Sequence, residues 1–250
     1  MIYKAQNLPQ DKHAFFGSNG GVSTGTYTSL NTNDFSLDDK NNVSKNYQII
    51  GEHLGLSKEN LCLQRQGVSN IANYVTETGF YQTTGDGLVT DKKNVILCLR
   101  TADCAPVLLA DWENGIVGAA HAGWRGALRG VIENTINLMI EKGAKIENIS
   151  AAVGPCLLEK SFDAGQDMVD QFAEKNADFV KYFKPFQDKF KFDSKSFILD
   201  VLKKYPLKST TFSDIDTYTD KNYFSYRRSG HNQEIKQQND FPTQLSTIKL

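Results

Sequence analysis

The sequence predicts an α/β (α+β) chain built on mixed sheets, and three observations carry that expectation. Short apolar runs with strand character recur along the chain, a helical apolar stripe lies between two of them, and strands outnumber helices. Leu61–Gln66 alternates, with Leu61, Leu63 and Arg65 on one face and Cys62, Gln64 and Gln66 on the other. Asn94–Arg100 is apolar almost throughout, as a strand covered on both faces is. Pro106–Ala110, Gly115–Ala120 and Ile149–Val153 read the same way. Between the last two, Leu128, Ile132, Ile136 and Met139 place an apolar stripe on a helix over Gly126–Lys142, and Gly143 is a natural stop. A second helix is expected over Asp167–Glu174. Lys181–Phe192, rich in Phe and Lys, fits neither period.

No period of 20 to 50 residues recurs, so a solenoid or propeller is excluded. The polar stretch Asn31–Lys45 is the nearest thing to a linker and is short, which favours one domain over residues 1–250. A chain of 250 residues hides about 75% of its extended surface, enough for a real core. With 28 basic and 29 acidic residues, the net charge of −1 argues against a nucleic-acid partner. No apolar run approaches the roughly 20 residues of a membrane span. The first residues lack a secretory pattern, and four cysteines are too few for a disulfide scaffold, so reduced thiols and a cytoplasmic address are expected.

Four stretches carry candidate chemistry. Thr101-Ala102-Asp103-Cys104-Ala105-Pro106 follows the buried strand Asn94–Arg100, and His121-Ala122-Gly123-Trp124-Arg125-Gly126 joins a strand end to a helix start. Loops at strand ends on a rigid scaffold hold catalytic groups. If the strands preceding Cys104 and His121 are neighbours, thiol and imidazole converge. They would then either ligate zinc or form an activated nucleophile. Asp103, a charge at the end of an apolar strand, is costly there unless used. The glycines of Ser18–Gly25 would let backbone N–H groups approach an anion, although a turn between two strands has the same composition. Tyr223–Arg228 sets aromatics beside paired arginines, suited to a ring with an anionic group, or else to a strand with solvated arginines.

In this order, TADCAPVLLAD (101–111), AAHAGWRGA (119–127), AAVGPC (151–156) and YFSYRR (223–228) resemble the bacterial laccase-domain (YfiH-like) family. GGVSTGTYTSLN (20–31) and DGLVT (86–90) fit the same pattern, and the resemblance runs from about residue 13 to the C-terminus. That family was first described as multicopper polyphenol oxidases and is now regarded as zinc-dependent purine nucleoside phosphorylases with adenosine deaminase activity. The resemblance implies a single-domain, layered αββα fold with mixed sheets. It also implies zinc held by the Cys of TADC, the His of HAGW and the His of a Gln-Val-His-Gly-like motif. The first two fall on Cys104 and His121; the third falls on Gln66, whose neutral amide oxygen is a poorer zinc ligand than imidazole.

Cys62 lies about 13 Å along the strand from Gln66 and does not substitute for it; Asp103 and Asp86 are the carboxylates left to do so. Ser18 and Tyr47 stand where the family usually has arginines. The activity so implied is phosphorolysis of adenosine, inosine or methylthioadenosine, with deamination as a further possibility. Cys104, His121 and Asp103 would be catalytic, and Arg125, Tyr226 and Arg227 would bind nucleoside and phosphate. Zinc is expected at reduced affinity. One Cys and one His do not build the His-rich sites of copper oxidation. The rivals are a metal-free Cys–His hydrolase, in which Gln66 or Asp103 orients the pair, a non-catalytic nucleoside-binding homologue, and a peptidoglycan-precursor editing factor.

Overall fold

A computed structural model describes all residues from Met1 to Leu250. The first part of the chain runs β1 (Ile2–Tyr3), β2 (His13–Phe16), α1 (Lys40–His53), β3 (Leu61–Arg65), β4 (Ala72–Tyr74), β5 (Gly79–Thr84), β6 (Gly87–Thr90), β7 (Ile96–Thr101), β8 (Ala105–Asp111) and β9 (Ile116–Ala122). Next come α2 (Trp124–Arg129), α3 (Val131–Glu141), β10 (Ser150–Val153), β11 (Asp163–Ala164), α4 (Gln166–Lys175), β12 (Phe183–Phe186) and β13 (Lys189–Phe192). The chain ends with α5 (Ser194–Leu202), β14 (Ser209–Phe212), α6 (Tyr226–His231) and β15 (Gln244–Ile248).

Two mixed six-stranded sheets, ordered β1-β2-β15-β7-β3-β5 and β14-β10-β8-β9-β6-β4, pack face to face, with β11-β13-β12 as a small third sheet. Three apolar clusters mark the layers. Between the sheets lie Leu97 and Leu99 of β7 with Leu108, Ala110, Val117 and Ala119 of β8 and β9. On the outer face of the first sheet, Leu61, Leu63 and Ile96 meet Val43, Tyr47 and Ile50 of α1. On the outer face of the second, Val107, Leu109, Ala120 and Ala151 meet α3, α4 and α5. The order is therefore helix, sheet, sheet, helix, as expected of an αββα chain. The alternation of Leu61 to Leu63 sends those two leucines outward to α1 and Cys62 inward to the inter-sheet core.

The structure revises four expectations. The helix over Gly126–Lys142 is two helices, because Gly130 adopts a left-handed φ of 96° that breaks the ladder between α2 and α3. Gly118 lets α3 lie close on β9, since a methyl there would sit 2.8 Å from the Met139 sulfur. Asn31–Lys45 is no linker. Asp39 caps α1 by accepting from the Asn41 N–H at 2.8 Å, and Asn31, Asn33, Asp38 and Asn46 form a buried, internally bonded polar cluster. Lys181–Phe192 contains the hairpin β12–β13, turning at Gln187 with a φ of 54°. Tyr226–His231 is helical, so a strand carrying Arg227 and Arg228 is excluded. No helix is long and apolar enough to cross a membrane.

Candidate active site

Cys104 and His121 meet because β8 pairs with β9. Ala105 lies opposite Ala122 and Pro106 opposite His121, which brings Cys104, just before β8, to the end of β9. A methyl built on Gly123 would lie 3.1 Å from Cys104 Sγ and 3.6 Å from His121 Cε1, so the thiol and the ring flank one point. The strands preceding the two residues are neighbours across the layers and not within one sheet: β7 and β9 face each other, and residues 102–104 carry the chain from the first sheet to the second.

Asp86 completes the constellation. Because Gly87 of β6 pairs with Ala120 of β9, Asp86 stands beside His121, whose N–H donates to the Asp86 carbonyl at 2.7 Å. The wholly buried Asp86 carboxylate accepts from His121 Nδ1 at 2.8 Å through Oδ1. Through Oδ2 it accepts from Ser69 N at 2.5 Å, Ser69 Oγ at 2.7 Å and Gly67 N at 3.3 Å. This carboxylate fixes the ring orientation and leaves Nε2 for chemistry. Burial alone would lower the His121 pKa; the Cys104 sulfur and Asp86 outweigh it and push it up to about 10. Burial likewise opposes the Asp86 charge, and the bonds to His121 and Ser69 overcome it, so its pKa falls below the usual value. The sequence signal for Asp86 was present, an Asp-Gly pair immediately before an apolar strand, but its role depends on the β6–β9 register.

Asp103 has a different place. Its backbone has a left-handed φ of 90°, and its carboxylate accepts from Thr217 Oγ1 at 2.7 Å and from Arg227 N at 2.7 Å. Burial raises its pKa against those bonds. Asp103 thus anchors the start of α6 and also lines the cavity that opens beside Cys104. Arg228 is structural, donating to the carbonyls of Thr217 at 2.6 Å and Tyr218 at 2.9 Å and to that of Tyr223. Arg227 lies 5.7 Å over the Phe162 ring and donates to the Asp163 carbonyl at 3.0 Å.

A cavity of about 430 Å³ opens beside Cys104. Its wall is mainly hydrocarbon, including Trp124, Leu157, Phe162, Phe192 and Phe197, with Asp103, Tyr226, Arg227 and His231 as polar neighbours. Tyr226 and Arg227 therefore stand where a ligand would contact them. Arg125 does not line the cavity; it is exposed and folds over its own neighbour Trp124, 4.0 Å from the ring centre. The Ser18–Gly25 loop joins β2 to a single 3-10 turn at Gly25–Tyr27. Four of its N–H groups are spent internally, Ser18 on Asn222 at 2.7 Å, Gly21 on Ser29 at 3.1 Å, Val22 on Asn46 at 2.9 Å and Ser23 on Ser29 at 2.9 Å, as in a turn that follows a strand.

The donors present do not fit the three-ligand zinc site that the sequence motifs imply. Gln66, the third position, is not free to ligate. Its Nε2 donates to the Arg100 carbonyl at 2.9 Å and its Oε1 accepts from the Arg100 N–H at 2.8 Å. Both Asp86 oxygens and both Asp103 oxygens are likewise engaged. Nowhere do three His, Cys, Asp or Glu side chains gather closely enough to hold a metal ion.

Comparison with known proteins agrees with this architecture. A protein of Deinococcus radiodurans named purine nucleoside phosphorylase is 39% identical over 171 residues, 68% of this chain and 66% of its own. A Corynebacterium glutamicum protein of the same designation is 30% identical over 215 residues, 84% of this chain and 86% of its own. Matches to two Rickettsia relatives cover 65% and 62% of their lengths, so the chain spans about two thirds of the curated relatives it first matches. The crystal structure of Neisseria meningitidis protein NMB0706, of the DUF152 family, superposes with a TM-score of 0.84 at 29% identity, over 100% of this chain and 98% of that one. That of Bacillus licheniformis YfiH gives 0.83 at 23% identity, over 95% and 92%, a likeness of fold. The family model described as multi-copper polyphenol oxidoreductase laccase matches residues 12–235, and the chain belongs to that family.

Proposed function

We propose that the chain catalyses phosphorolysis of purine nucleosides in the cleft at Cys104, with His121 as proton donor to the departing base. The observation that carries this reading is His121, held by Asp86 and set beside Cys104, whose thiol lines a ligand-sized cavity. The relatives named purine nucleoside phosphorylase support the substrate class.

Phosphate attacks C1′ of the sugar, the C1′–N9 bond breaks, and electrons gather on the purine. His121 supplies a proton to the leaving base from Nε2, because Nδ1 is held by Asp86, and the proton released by phosphate restores it. Arg227 is the cation nearest the cavity and binds phosphate. Tyr226 offers a ring face to the base or sugar at the rim. Asp103 acts through α6, holding Arg227 and Tyr226 in place.

The test is incubation of the purified chain with adenosine, inosine and 5′-methylthioadenosine, with and without phosphate, and separation of the products. Phosphate-dependent release of free base supports the reading; hydrolysis at the same rate without phosphate rejects it. The adenosine reaction also shows whether inosine, the product of deamination, accumulates.

A second reading is favoured by one observation, the order Asp86–His121–Cys104, which is that of a thiol hydrolase. It predicts a covalent acyl-enzyme on Cys104, seen by intact-mass spectrometry during turnover of an ester or thioester. No adduct across an acyl series counts against it.

A further inference from the structure

We infer that this centre works without a bound metal, and that Gln66 has become a main-chain splice between β3 and β7 in place of a ligand. Three independent observations lead there.

The first is the use of both ends of the Gln66 amide. β3 and β7 are parallel neighbours, but their main-chain pairing is confined to Leu61↔Ile96 and Cys62↔Leu97. Beyond it β3 carries an irregularity between Leu63 and Arg65 where it pairs β5. The Arg100 N–H and C=O, three residues past the paired segment, would then lack strand partners on this side. Gln66 supplies both, accepting at 2.8 Å and donating at 2.9 Å, as a strand residue would. To ligate a metal, Gln66 would have to abandon two bonds in a half-buried place.

The second is what borders the thiol and imidazole instead. Val68 Cγ1 lies 3.5 Å from the same point that is 3.1 Å from Cys104 Sγ and 3.6 Å from His121 Cε1. Val68 holds a left-handed φ of 57°, which is costly for a β-branched residue and marks a position fixed by its surroundings. Those surroundings are the bonds of Gly67 and Ser69 to Asp86 and of Arg129 Nη1 to the Val68 carbonyl at 3.3 Å. A hydrocarbon group is thus held beside the two remaining donors.

The third is the absence of a substitute. Cys62 and Cys98 are buried away from the cavity, Cys156 and His231 line it but do not gather with Cys104 and His121 into a group able to hold an ion, and the carboxylates of Asp86 and Asp103 are already bonded. Two donors fall short of the three protein ligands a catalytic zinc site uses.

The experiment uses the full chain with zinc and cobalt(II) as the probes, read by metal content and by the thiolate-to-cobalt absorption band, neither of which depends on activity. After exposure to zinc and dialysis against a mild chelator, the unaltered chain is expected to retain far less than one ion per chain and to show no cobalt–thiolate band. Gln66→His is expected to gain about one zinc per chain and the band, having three donors. Gln66→Ala is expected to leave metal content unchanged while lowering Tm by several degrees, on the order of 5 °C, since Arg100 loses both partners. Stoichiometric zinc in the unaltered chain, its loss in Gln66→Ala, or a folded Gln66→His that gains nothing overturns the inference. If Gln66→His does not fold, the unaltered chain and Gln66→Ala decide. Base release is measured separately, so failure of phosphorolysis and failure of metal independence are distinguishable.

Discussion

Replacing Asp86 by Asn removes one charge and changes no shape, and the surrounding bonds dictate the consequence. The carboxylate accepts from His121 Nδ1 at 2.8 Å on one oxygen and from Ser69 N and Oγ at 2.5 and 2.7 Å on the other. An amide has a single acceptor oxygen. If it stays with Ser69, the NH2 group faces the His121 N–H, and the ring must give up its Nδ1 proton or break contact. Breaking a buried charged pair costs about 3–5 kcal/mol, and the ring recovers part of that by becoming neutral, leaving about 2–4 kcal/mol. For a chain of this size that is a fall in Tm of about 5–15 °C.

The pH dependence supplies the signature. The folded pKa of His121 is raised to about 10, so its contribution to stability is full below the unfolded value of about 6.5 and is lost as pH rises through about 10. Asp86, whose pKa is lowered, contributes above about 3.9, and that contribution is lost as pH falls through its folded value. Thermal melts from pH 5 to 10 should therefore show a decline above neutrality in the parent chain and a flatter curve in Asp86→Asn. Base release at pH 7 should drop about 10²–10⁴-fold, as expected for loss of a general acid. A Tm within 1 °C of the parent and an unchanged rate would refute the role assigned to His121.

Gly123→Ala has an ordinary φ of −62° to accept and needs no backbone change, so its effect is steric. The added methyl, 3.1 Å from Cys104 Sγ, should leave the protein folded and slow base release about 10–100-fold, read by steady-state kinetics. Arg227→Gln keeps the main-chain bond to Asp103 and removes the guanidinium at the cavity. It should raise KM for phosphate about tenfold or more with little change in KM for nucleoside, and equal effects on both would reject Arg227 as the phosphate ligand.

The layers and half of the site were legible in the residues. Asn94–Arg100 reads as a doubly covered strand because β7 lies between α1 and the second sheet, and Cys104 and His121 stood out because each follows a buried strand. The rest depended on information that local periodicity does not hold. Asp86 becomes a partner of His121 only through the register of β6 against β9. Gln66 is half-buried at a strand end, and only the gap in the β3–β7 ladder shows why it faces the Arg100 main chain. Asn31, Asn33 and Asp38 look like a linker because their polarity is satisfied by one another and by the Asn239–Thr243 segment, far along the chain. The aromatic run before α5 is a hairpin whose Phe183 and Phe192 rings stack at 4.9 Å, a cross-strand contact without a period of its own.

The central claim is that a His121 held by Asp86 beside Cys104 protonates the departing base of a purine nucleoside while its sugar passes to phosphate. It is tested most directly by phosphorus NMR of the purified chain with inosine and inorganic phosphate, beside a His121→Ala control. A sugar 1-phosphate resonance should grow in step with free hypoxanthine and disappear in the control. Hypoxanthine without sugar phosphate, or an undiminished signal from His121→Ala, would contradict the claim.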